Sequence, residues 1–139
     1  GGYTSLASAG GWKEWDLKSR SIKCVLAWSP FLRPMLDNKG LTQISVPVML
    51  QGGTRDTGMS PFLGSPDGAM SVLRCPSYYI EFEDADHVAW CDQTHRYDEL
   101  ILHYSVGFLN RYLKGNRTTE LEGSLEGVSH LEASRTNLP

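Results

Sequence analysis

Three short apolar runs, each bounded by turn residues, punctuate the first two thirds of the chain. IKCVLAW (22–28) closes on Ser29-Pro30. VPVMLQGG (46–53) is entered through Pro47 and left through a glycine pair, and SYYIEFED (77–84) ends in acidic residues. Runs of this length, with β-branched content and turn signals at both ends, read as buried strands. From Arg96 to Lys114 the period changes. Leu100, Ile101, Tyr104, Phe108, Leu109, Tyr112 and Leu113 recur at three- and four-residue spacing, which predicts an amphipathic helix packed on a sheet and capped at Gly115-Asn116. Near the start, GYTSLASA (2–9) predicts the first turns of a tightly packed helix ended by Gly10 and Gly11. Strand, loop, strand, loop, strand, helix predicts a mostly parallel α/β sheet whose functional loops follow the strands. Beyond Asn116 the chain turns polar, with a loose Leu-Glu-Gly repeat. Residues 116–139 are expected to form a poorly ordered tail or a peripheral short helix, and not a second domain.

Composition narrows the range of partners. The 139 residues suit one domain, and 13 basic against 16 acidic residues give a net charge of −3. That balance argues against nucleic acid or an anionic membrane surface, since both require clustered lysine and arginine. No apolar run reaches the ~20 residues of a membrane span. Cys24 reads as a small hydrophobe within the first strand. Cys75 and Cys91 flank the third strand and its loop, and spacing alone leaves open whether they pair.

Two strand ends carry the candidate chemistry. QGGTRDTGMSP follows the second strand and places Asp56 in a glycine-rich loop; FEDADHVAW follows the third and places His87 at a loop start. In a parallel sheet these loops are neighbours, so the carboxylate can fix the imidazole tautomer and stabilise its cation. The plain alternative is that GTRDTG is simply a good turn. Asp84 and Asp86 read as strand-end and capping residues, and His95, His103 and His130 as structural or solvated. Ser8, in LASAGG, lacks a strand before it and is a poor nucleophile candidate. His87, Cys91 and His95, spaced by four with Asp84, Asp86 and Asp92 nearby, open a metal-site alternative, though the spacing matches no established signature. Trp28, Phe31 and Trp90, with Met59 and Phe62 from the Asp56 loop, are either packing residues or an apolar wall for a substrate.

Taken in order, GGYTSLASAG, LAWSP, VPVMLQGGTRDT, ADHVAW and SVGFLNRYLKG resemble the C-terminal half of an α/β-hydrolase. The similarity is to the dienelactone hydrolase-like and platelet-activating-factor acetylhydrolase-like esterases, with bacterial cutinase-like polyesterases as cousins, and it covers roughly residues 1–115. It implies that Asp56 is the acid and His87 the base of a Ser-His-Asp triad. It also implies that Gly1 and Gly2 end a Gly-x-Ser-x-Gly elbow whose serine lies two residues upstream. The oxyanion donors then precede this chain too. The expected activity is carboxylic ester hydrolysis without a cofactor, on a small-molecule, lipid or polymer ester, with Trp28, Phe31, Met59 and Trp90 contacting substrate. Dienelactone hydrolases proper use cysteine as nucleophile, whereas GGYTSL looks more like the serine branch. Relatives are often exported, so a secreted or periplasmic location is implied by the resemblance alone. The alternatives are a non-catalytic binding protein on the same scaffold and the metal site around His87, Cys91 and His95.

Overall fold

A computed structural model of the chain describes residues 1–91, 95–118 and 120–134. Four strands form one sheet in the order β1 (Val25–Trp28), β2 (Val48–Gly53), β3 (Ser77–Phe82) and β4 (Val128–Ser134). The first three are mutually parallel and β4 is antiparallel to β3, giving the mostly parallel α/β sheet that the apolar runs predict. β2 lies between β1 and β3, and all six of its residues are buried. That is why VMLQGG reads as a continuous apolar run and does not alternate.

Successive side chains of β2 and β3 serve opposite layers. Val48, Leu50 and Tyr79 join a core with Leu6 from α1 (Gly2–Leu6), Met35 from α2 (Arg33–Asp37), and Ala69 and Met70 from α3 (Ala69–Val72). Met49, Tyr78, Ile80 and Phe82 face the other way, against Ile101, Tyr104 and Phe108 of α4 (Asp98–Leu113). Asp98 and Glu99 occupy the first turn of α4, where its dipole favours negative charge. At the other end the Asn116 amide donates to the Asn110 carbonyl, closing the helix with Gly115 between them. All three cysteines are free thiols, so Cys75 and Cys91 do not pair.

The expectation for residues 116–139 needs correction. Val128–Ser134 is a strand, paired with β3 from Phe82↔Val128 to Ser77↔Ser134. The segment before it is tied to α4: Leu121 is fully buried, Glu122 pairs with Arg111 at 3.1 Å, and the Tyr104 hydroxyl donates to the Gly123 carbonyl at 2.8 Å. The polar composition misled because β4 is an edge strand that buries little, with only Val128 and Leu131 joining the inner cluster. Thr119 and residues 135–139 lie outside the described residues.

The core predicts an alkaline weakness. Burial holds the Cys75 thiol proton and pushes its pKa from 9.0 up to about 11. Burial also raises the Tyr79, Tyr104 and Tyr112 phenols, with the Glu81 carboxylate adding to the effect at Tyr79. The folded state therefore binds more protons than the unfolded one above pH 9. Its stability is complete below that point and falls as pH rises toward 11. Urea midpoints are expected to drop between pH 8 and 10.5, with Cys75 contributing roughly 2 kcal/mol. Cys75→Val should flatten that slope, and an unchanged slope would refute the assignment.

Candidate active site

The loops after β2 and β3 are stitched together through their backbones. Thr54 donates its amide to the Phe82 carbonyl at 3.1 Å and Arg55 to the Ala85 carbonyl at 3.0 Å, while the Asp84 amide donates to the Thr54 hydroxyl at 2.9 Å. Gly53 makes this approach possible: a Cβ there would lie 2.2 Å from the Ala85 oxygen. The chain then turns, with the Asp56 amide donating to the Gly53 carbonyl, and the Asp56 carboxylate meets the His87 ring at Nδ1.

Asp56 Oδ2 lies 3.0 Å from His87 Nδ1, with Asp56 only 5% exposed and the His87 side chain 61% exposed. The two residues that the sequence singles out are thus brought into direct contact. A third joins them. The Ser29 hydroxyl, buried at the end of β1, hydrogen-bonds Asp56 Oδ2 and sits 2.8 Å from His87 Nδ1. Its proton goes to the carboxylate, which can only accept. Both neighbours of Nδ1 are then acceptors, so Nδ1 carries a proton, and in the neutral ring Nε2 keeps the lone pair. Nε2 has no hydrogen-bond partner among the described residues.

The same imidazole borders a cleft of about 500 Å³ that also meets Gly1, Gly2, Trp28, Phe31, Met59 and Trp90. Six residues singled out in the sequence thus border one cleft with His87, and Asp56 bonds to that imidazole. Gly2 sits against the end of β1, where a Cβ would come within 2.8 Å of Pro30 Cβ, so α1 starts hard against Ser29-Pro30. Phe62 does not line the cleft; it packs into the core beside α2, with the Arg33 guanidinium over its ring.

The metal alternative does not assemble. His87, Cys91 and His95 do not share a helix, because α4 begins only at Asp98. His95 bonds Asp98 at 2.8 Å and faces a different cavity, and no group of three potential ligands converges among the described residues. Asp92 lies outside those residues. His103 packs edge-on against Tyr104 and His130 lies 3.7 Å from Glu132, both away from the cleft. Ser8 is likewise elsewhere, lining a shallow recess beside β1. Asp86 caps its own turn by accepting from the Val88 amide, and Asp84 pairs with Arg96 at the surface.

A buried polar bridge supports the cleft wall and has no simple sequence signal. Gln51 is fully buried on β2; its Nε2 donates to Ser105 Oγ at 3.0 Å and its Oε1 accepts from Trp90 Nε1 at 3.1 Å. Trp28 Nε1 also donates to Ser105 Oγ, at 3.3 Å. One glutamine and one serine thus hold both tryptophans. Ser29 was missed as well, although a serine directly after a buried strand, in AWSP, is the kind of polar group that must find a partner. Its φ is +40°, an uncommon conformation for a non-glycine residue that costs on the order of 1–3 kcal/mol.

Compared with known proteins, the chain matches no family model and no curated protein.

Two substitutions test this construction. Gly53→Ala is expected to push the loops apart and destabilise the fold by about 2 kcal/mol or more, read as a lower thermal midpoint. Gln51→Leu is expected to cost roughly 1–3 kcal/mol, because it strands Trp90 Nε1 and one Ser105 bond, and to alter tryptophan emission. Wild-type emission and midpoint in Gln51→Leu would show that the bridge does not hold the wall.

Proposed function

We propose that this chain is the C-terminal portion of an α/β-hydrolase that cleaves carboxylic esters. In this reading a serine two residues before Gly1 is the nucleophile, His87 the general base and Asp56 its orienting acid. The observation that carries the reading is the state of His87. Its Nδ1 is bound to a buried carboxylate, its Nε2 is unpartnered among the described residues, and it borders the cleft that Gly1 and Gly2 also border. A base held at one nitrogen and free at the other accepts a proton from a hydroxyl brought to the free side.

The steps follow from that arrangement. The serine oxygen attacks the ester carbonyl carbon as its proton passes to Nε2. The tetrahedral intermediate collapses, the proton moves to the departing alkoxide, and an acyl-serine remains. Water attacks that ester with its proton taken by Nε2, the acid departs, and the proton returns to the serine oxygen. Asp56 stays ionised throughout and balances the imidazolium charge. Trp28, Phe31, Met59 and Trp90 supply an apolar wall for the acyl or alcohol portion of a small-molecule, lipid or polymer ester. The chemistry calls for no cofactor. Among the described residues no helix is long and apolar enough to cross a membrane.

A fluorophosphonate probe tests the proposal on the protein carrying the segment before Gly1. Label is expected on the serine two residues upstream, and His87→Ala is expected to lower kcat on an aryl ester by a factor on the order of 10⁴ or more. A folded protein that takes no label favours the reading as a non-catalytic binding protein on the same scaffold.

A further inference from the structure

We propose that Ser29 is a positioning residue, clamping Asp56 and His87 into one hydrogen-bonded unit. The inference rests on the reading of Asp56 and His87 as acid and base. Three independent features of the site support it.

The first is contact. One hydroxyl reaches both members of the pair: it donates to Asp56 Oδ2 and lies 2.8 Å from Nδ1 of His87, so the Nδ1 proton is shared between two acceptors. The His87 side chain is largely exposed, and both of its ring hydrogen bonds among the described residues pass through Nδ1. A ring tethered to one carboxylate oxygen can swivel about that bond. A second acceptor on the same proton fixes the ring plane and occupies the space that a competing water would take.

The second is backbone conformation. Ser29 precedes Pro30, a setting that favours extended backbone, yet its φ is +40°. A strained residue persists only where its surroundings over-determine it. Here the Ser29 amide is anchored to the Gln51 carbonyl at 2.8 Å, while the preceding side chain, Trp28, is anchored to Ser105. The unusual φ turns the hydroxyl inward, onto the pair.

The third is placement. Ser29 directly follows β1, whose neighbour β2 leads into the Asp56 loop, and β3 beside it leads into the His87 loop. Three consecutive parallel strands each deliver one member of the cluster at the same sheet edge.

The test separates this inference from the esterase reading. In this chain the shared Nδ1 proton is expected as a downfield ¹H resonance, slow to exchange with water. Ser29→Ala and Ser29→Gly are both expected to accelerate that exchange about tenfold or more, with circular dichroism unchanged. Ser29→Gly relaxes the positive φ, so it keeps the test intact if Ser29→Ala folds poorly. In the protein carrying the upstream segment, the same variants are expected to lower kcat about tenfold and leave KM unchanged. If the downfield proton is missing from the unsubstituted chain, or indifferent to both variants, the positioning role is overturned even where phosphonate labels the protein. If exchange accelerates in a protein that takes no phosphonate, the positioning role stands and the esterase reading falls.

Discussion

Two loop backbones meet where Gly53 passes Ala85, so close that a methyl group on residue 53 would stand 2.2 Å from the Ala85 oxygen. The arrangement at the carboxyl edge of the sheet depends on this contact. It lets the Thr54 amide bond to Phe82 at the end of β3 and the Arg55 amide to Ala85 just beyond it, which fixes where Asp56 turns back and where His87 emerges. The parallel pairing of β2 and β3 brings the two strand ends level. The glycine then allows the last few ångströms to close without a side chain in the way. The buried carboxylate and the exposed imidazole are consequences of that closure, and Ser29 reaches them from just beyond β1.

The cleft has a layered chemistry. At its surface stand aromatic and thioether side chains; directly behind them lie Gln51 and Ser105, polar groups with their bonds made inside the sheet–helix interface. A buried glutamine is costly when unpaired, and here each end of its amide is used. The result is that Trp28 and Trp90 are held by their indole nitrogens from within, while part of each ring stays available to the cleft. Stacking of Phe82 on Trp90 at 6.0 Å and on Tyr97 at 6.3 Å continues the same support toward α4.

Apolar periodicity revealed what burial controls. β2 and β3, buried on both faces, stand out as unbroken apolar runs, and α4 shows through the spacing of Ile101, Tyr104 and Phe108. β4 does not, because an edge strand with one neighbour buries little and needs no apolar code; its place comes from pairing with β3 and from the anchorage of Leu121 and Glu122 on α4. At the site, Asp56 and His87 were visible because their loops follow predictable strands. The metal alternative failed for a geometric reason: four-residue spacing aligns side chains only on a helix, and His87 precedes one. Ser29, Gln51 and Ser105 were hidden because a hydroxyl or an amide in a sequence carries no mark of the partner it will meet across the sheet.

The stitching of the two loops has a bearing on how this surface tolerates change. Main-chain bonds and the missing Cβ at Gly53 set where Asp56 and His87 emerge, and Ser29 then holds the pair, so the exposed side chains of Arg55 and Thr57 contribute little to their 3.0 Å spacing. Those two positions lie on the solvent side of a fixed hub. Charge and bulk at this surface can therefore drift without disturbing the carboxylate–imidazole contact beneath.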